Sequence, residues 1–240
     1  MGQTILYFKN NFNKGLKEII FENYPSFRQW YLDTDKFSIE EYNEQYGNEM
    51  LIKYLKQDRD LTTEFAKLDN KLIDELTTEF IINYYDRGYS DLIGRNIVLL
   101  EEFGPSVNKW RYGQSDEMAF ATQDDDLIRL WNFIVKGRSL KDNSFFESYT
   151  NDFKIGFLTL NECKFFKEKV EFYFGDIETI KDRYWTDEEK KKLQKAKAES
   201  KNGFYSLSDH NPKSSGLEYV LIAINVLDNR NAELITGIDA

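Results

Sequence analysis

The sequence predicts a helix-rich α+β fold, built as a single globular domain with a few short strands, and three observations predict it. Apolar residues recur at helical spacing over most of the chain. Strand-like runs are few and short. Only 3 Pro and 13 Gly occur in 240 residues, so linker and low-complexity composition is scarce. The 19 Phe and 15 Tyr require a sizeable interior, because rings of that number are costly to leave in water. The domain is taken as 1–240, with a possible seam near 104–123, where the periodicity weakens.

Residues 3–8 read as a short buried strand, followed by a helical pattern from Asn13 to Glu22 with Leu16, Ile19 and Ile20 on one face. Ser38 with Glu41 has the form of a capping box. The helix it opens places Ile39, Tyr42, Tyr46, Met50 and Tyr54 on one stripe. Leu61, Phe65, Leu68, Leu72, Leu76, Phe80 and Tyr84 then mark a long helix, with Gly88 suited to the left-handed stop. An apolar segment, Leu92 to Leu100, ends at Gly104-Pro105.

Asp124-Asp125-Asp126 opens a helix through Leu127, Leu130, Trp131 and Ile134 that stops at Gly137. Phe153 to Leu160 alternates as a strand, and Asn161 is placed to cap a helix carrying Cys163, Phe166, Val170 and Tyr173. Thr186 with Glu189 forms a second capping box, opening a lysine-rich helix to Lys201. A helix from Ser215 and a strand at Glu233–Ile238 complete the pattern. No internal repeat is visible.

The formal net charge is −10, with an isoelectric point near 4.8. That field repels nucleic-acid backbones and anionic lipid, keeps a protein soluble, and attracts basic proteins. No apolar run reaches the roughly 20 residues a bilayer span needs. A single cysteine forms no internal disulfide, and nothing at the N-terminus resembles a signal peptide. The expectation is a cytoplasmic protein that binds neither nucleic acid nor membrane; its oligomeric state is not legible.

Motifs that carry chemistry are absent. No phosphate-binding loop, dinucleotide fingerprint, zinc-protease helix or nucleophile elbow occurs. With one histidine and one cysteine, zinc sites and Cys–His pairs lack material. His210 lies in a loop-like Ser-Asp-His-Asn-Pro, and Cys163 falls on an apolar stripe. No catalytic residue, cofactor or metal site is therefore assigned.

Carboxylates are the plentiful reactive groups: Glu101-Glu102, Asp116-Glu117 and Asp124–Asp126. Two that converge could serve as general acid and base or hold Mg²⁺; alternatively, acids at a helix start complement its dipole. The lysines of 190–201 interleave with Asp187, Glu188, Glu189 and Glu199 as i,i+4 pairs, the pattern of a solvated helix. Trp110, Arg111 and Tyr112 are residue types that dominate interface hot spots, and here they share a loop. With Asp116, Glu117, Asp124, Asp125 and Asp126 they form the candidate partner-binding set: aromatic anchors with an acidic rim. The alternative places Trp110 and Tyr112 in the core.

The Trp helix Asp124–Gly137, the Phe153–Glu162 segment, and the closing pair Leu217–Asp228 and Leu234–Ile238 together resemble the YfbM-like family of small uncharacterised bacterial proteins. The resemblance covers roughly the last half of the chain. It implies a helix-rich α+β fold and a bacterial source, and it transfers no catalytic residue. Function is read in three ways, the third a purely structural subunit, which predicts a large exposed apolar patch. The first is a non-catalytic protein-binding module, of an immunity or adaptor type, for a basic partner. The alternative is a carboxylate-based hydrolase, Mg-dependent in one form.

Overall fold

One antiparallel sheet of five strands organises the chain: β1 (Thr4–Asn10), β2 (Ile97–Leu99), β3 (Val107–Asn108), β4 (Phe153–Leu158) and β5 (Glu233–Asp239). The structure is a computed structural model and describes residues 4–10, 12, 14–34, 49–86, 88–94, 97–99, 107–108, 119–145, 153–176, 179, 187, 191, 195 and 233–239. The strand order is β2-β1-β5-β4, with β3 also bonded to β1. β5 is central: Ile235 stands opposite Phe8 on one side and Phe157 on the other. The outer edge of β1 is shared, Phe8–Asn10 pairing with β2 and Thr4–Ile5 with β3.

Helices cover both faces of this sheet. Phe8, Ile155, Phe157 and Ile235 join one core with α1 (Leu16–Thr34), α2 (Glu49–Leu55) and α4 (Asn70–Asp86). Against the opposite face lie α6 (Asp125–Lys136) and α7 (Leu160–Phe174), whose Trp131 and Phe166 rings stack at 6.5 Å. Burial on both faces explains why residues 155–158 and 234–238 are all buried and do not alternate between inside and outside.

Contact between α6 and the sheet is close. Thr236 Oγ1 donates to the Ile134 carbonyl at 3.0 Å. A Cβ added to Gly156 would meet the Phe133 carbonyl oxygen and Thr236 Oγ1, both under 3.0 Å away. On the other face α1 buries Leu16, Ile19, Ile20, Tyr24, Phe27 and Tyr31 along one stripe. Phe27 sits among the rings of Tyr31, Phe80 and Tyr89, at 5.3–5.6 Å.

The helix-rich α+β expectation holds, with differences in detail. α1 runs on past Glu22 to Thr34 and contains Pro25, because Tyr24, Phe27 and Tyr31 continue its buried stripe. Of the stripe expected of the next helix, Tyr54 is buried but Met50 is 45% exposed, with Leu51, Ile52 and Leu55 facing inward; Ile39, Tyr42 and Tyr46 lie outside the described residues. The long helix from Leu61 is two. α3 (Leu61–Glu64) passes through a 3₁₀ turn, Phe65–Lys67, and Leu68 is extended. Asp69 then restarts the chain by accepting the Leu72 amide at 2.7 Å, the role of an N-cap.

α4 is buried on all sides over residues 72–81, its polar members included; Asn83 Nδ2 donates to Glu79 Oε2 at 2.9 Å within the helix. Gly88 does take the left-handed conformation, at φ 79°. The apolar run after it divides into a short helix, α5 (Ser90–Ile93), and β2. The capping boxes at Ser38 and Thr186 and the helix from Ser215 lie outside the described residues. Asp187, Lys191 and Lys195, within the lysine-rich segment, are helical and exposed.

Gly156→Ala should lower stability by about 1–3 kcal/mol, because the backbone of α6 must move to admit the methyl group. Urea denaturation followed by far-UV circular dichroism measures the change; an unaltered midpoint would mean that α6 does not lie on β4 as described.

Candidate functional site

The acidic start of α6 and the outer face of α7 come together, and both helices are fixed from beneath. α7 is opened by Thr159, not by Asn161 as the sequence suggested. Thr159 Oγ1 accepts the Glu162 amide, and Glu162 Oε2 accepts the Thr159 amide at 2.9 Å, a complete capping box. The pattern Thr-x-x-Glu was legible in the sequence.

Glu162 also holds Arg138, just beyond the end of α6, in a two-pronged ion pair of 2.6 and 3.1 Å. The buried guanidinium lies between the Phe133 and Phe157 rings, 4.4 and 4.5 Å from their centres, and donates to the Phe157 carbonyl. Burial pushes the Glu162 carboxyl upward, but the bonds from Arg138 and Thr159 outweigh it and the net shift is downward. This tie sets α7 against α6.

At the other end of α6, Asp124 is the N-cap, accepting the Leu127 amide at 3.0 Å. Its Oδ2 takes the Lys169 ammonium at 2.7 Å and the Tyr173 hydroxyl at 3.0 Å, both from α7. Lys169 foremost, then the Leu127 amide and Tyr173, hold the Asp124 carboxyl at about 2, below its ordinary 3.8. The Lys169 ammonium also stands 5.0 Å from the centre of the Phe165 ring.

The outer face of α7 is aromatic and exposed. Phe165 and Phe172, seven residues apart, share one side of the helix with Lys169 and Glu168. Phe172 is 80% exposed and meets Tyr173 edge-on at 5.0 Å. Asp125 and Asp126 are exposed beside this row, Asp126 bridging to Arg129 at 3.3 Å. Of the sequence-proposed set, Asp124, Asp125 and Asp126 are thus placed at the α6–α7 junction. Trp110, Arg111, Tyr112, Asp116 and Glu117 lie outside the described residues, as do Glu101, Glu102 and His210.

Sequence reasoning missed Phe165, Glu168 and Phe172, and it turned Tyr173 inward. The signal was present: Cys163, Phe166 and Val170 define the buried side, which leaves Phe165 and Phe172 on the opposite one. Cys163 is buried as expected, its thiol pushed up to about 12 by burial. Among the described residues no three His, Cys, Asp or Glu side chains converge to hold a metal ion. No helix among them is long and apolar enough to cross a membrane.

A cleft of about 310 Å³ opens elsewhere, where the starts of α1 and α7 meet β5. Lys14, Glu18, Asn161 and Glu233 line it. Its acids are bonded to the chain: Glu233 Oε2 accepts the Leu16 amide at 2.8 Å and Asn10 Nδ2 at 3.2 Å, and Glu18 accepts the Gly15 amide. Burial raises the Glu233 carboxyl above its ordinary value, against the pull of those two bonds. No protein-family model matches the chain, and no match was found among curated proteins or solved structures.

Two pH dependences follow from these shifts. Asp124 is depressed, so its stabilisation is present above its ordinary pKa and is lost as pH falls towards about 2. Asp124→Asn keeps a capping oxygen but removes that titration, so the loss of stability between about pH 4 and 2 should become shallower in acid denaturation. Glu233 is raised, so its contribution is complete below the ordinary 4.5 and is lost as pH rises through its folded pKa. Glu233→Gln should gain stability relative to the parent as pH rises above that value; thermal melts at pH 4 and pH 7 that differ equally for the two proteins would refute it.

Proposed function

We propose that this protein is a non-catalytic binding module, of an immunity or adaptor type, that docks a basic protein partner on the α6–α7 face. The observation that carries the reading is the exposed row Phe165, Phe172 and Tyr173 beside the acids Asp125, Asp126 and Glu168. Rings supply apolar contact area that water favours covering, and the acids select a partner of positive charge. A net charge of −10 draws such a partner in over long range. Trp110, Arg111, Tyr112, Asp116 and Glu117 belong to this proposal on their residue types alone. A cytoplasmic setting suits a chain whose one cysteine is a buried thiol. The resemblance to the YfbM-like family, and with it a bacterial source, belongs to this proposal and adds no residue role.

The second reading, a carboxylate-based hydrolase, is favoured by the cleft alone, where Glu233 carries a raised pKa and Glu18 stands near. Both carboxylates are bonded to backbone amides at the start of α1, which serves the fold first.

The test is titration of a fluorescein-labelled amphipathic peptide of lysine and leucine, read by anisotropy. Asp125→Lys with Asp126→Lys, and separately Phe172→Ala, should each weaken binding about tenfold or more, the loss typical of an interface anchor. Glu22→Lys with Glu49→Lys reverses the same charge on the far helical layer and should weaken it much less. Equal losses for both charge reversals, with no effect of Phe172→Ala, would sink the site assignment.

A further inference from the structure

We infer that Lys169 is a built-in occupant of the docking face, holding the place at Asp124 that a lysine of the basic partner takes on binding. The inference rests on the proposed function and concerns the regulation of the same site. The geometry at Asp124 is that of a bound ammonium. Lys169 Nζ lies 2.7 Å from Asp124 Oδ2, the Tyr173 hydroxyl donates to that same oxygen, and the Phe165 ring stands 5.0 Å from the nitrogen. Carboxylate, phenol and ring together make a receptor for a primary ammonium, through charge, hydrogen bonding and cation–π attraction.

Asp124 is covered by its occupant: its side chain is 10% exposed, whereas Lys169 is 26% exposed and reaches in from the docking side. The two carboxylate oxygens have separate tasks. Oδ1 accepts the Leu127 amide and caps α6; Oδ2 holds Lys169. One ammonium can therefore replace another at Oδ2 with the cap unbroken and the carboxylate still paired. The charged groups facing Lys169 are Asp124 and Asp126 from α6, with the Tyr173 hydroxyl on its own helix.

A lysine–carboxylate pair near the surface shifts an equilibrium by up to about fivefold, small enough for a partner that also covers Phe172 to overcome. An internal competitor of this strength raises the threshold for weakly basic surfaces and leaves a strongly basic, apolar-anchored partner bound.

The experiment compares Lys169→Met with Lys164→Met in the same anisotropy titration of the lysine–leucine peptide. Both remove one positive charge from α7, Lys164 from an exposed position five residues before Lys169 and outside the Asp124 contact, and methionine keeps an apolar stem over the Phe165 ring. Lys169→Met should tighten binding about two- to fivefold beyond Lys164→Met, the scale set by the ion pair it removes. Lys169→Gln, should the first variant fold poorly, is expected to act in the same direction. In an Asp124→Asn background the advantage of Lys169→Met should disappear. If Lys169→Met and Lys164→Met tighten binding equally while Phe172→Ala weakens it, the face stands and this inference is overturned. If the parent protein does not bind the peptide, or Phe172→Ala leaves binding unchanged, the proposed function falls and this inference with it.

Discussion

The double burial of β5 is the constraint on which the other layers depend. The strand lies between β1 and β4, so both of its rows of backbone hydrogen-bonding groups are occupied. Residues 234–238 are buried on both faces as well, against α1 and α4 on one side and α6 and α7 on the other. Removing any one layer would expose apolar strand surface and unpair backbone groups that water must then recover. The strand also closes contacts of very long range, from Asn10 opposite Glu233 to Thr4 opposite Asp239, so the sheet cannot be completed until segments more than two hundred residues apart have met. Such non-local closure slows folding and makes the sheet a cooperative unit.

The outer helices inherit their positions from this sheet. α6 can approach β4 so closely only because residue 156 has no side chain, and Thr236 fixes its depth through the Ile134 carbonyl. α7 is then set by Arg138, which ties the far end of α6 to the first turn of α7 through Glu162. A buried ion pair is weak evidence of stability by itself, since desolvation offsets its attraction. Here the guanidinium is also stacked between two rings and bonded to a strand carbonyl, which makes it a device for orientation. With α6 and α7 held at both ends, the side chains on their outward faces form one fixed surface.

Much of the fold was legible in the sequence where local chemistry decides it. The start of α6 at Asp124, its stop at Gly137, the left-handed Gly88 and the strands β1, β4 and β5 could all be read from spacing and capping residues. The break at Asp69 was not, because Leu61 to Tyr84 keeps an unbroken apolar period; only the capping bond from Leu72 shows that the chain restarts there. The placing of Met50 on the buried stripe failed for a related reason, since Met50 and Leu51 are both apolar and only packing chooses between them. Of the candidate site, the acids of α6 were legible and their neighbours were not. Tyr173 fits the apolar period of α7, yet its hydroxyl draws it out to Asp124, a contact forty-nine residues away in sequence that no local pattern contains.

The acidic character of the chain has two physical origins, and separating them decides which acids the proposed docking face can use. Asp60, Asp69, Asp124, Glu162 and Glu233 each accept a backbone amide at a helix start. Those carboxylates are committed to the fold, and the cleft at Glu233 belongs to this group despite its concave shape. A docking surface needs acids that face water beside apolar area worth covering. Asp125, Asp126 and Glu168 meet that condition next to Phe165 and Phe172, and Asp124 stands at the boundary between the two classes. One of its oxygens caps α6 while the other holds an ammonium at the surface. A residue so placed couples the stability of α6 to whatever cation occupies its free oxygen, which is why, on the proposed function, the charge at this junction would bear on recognition as well as on folding.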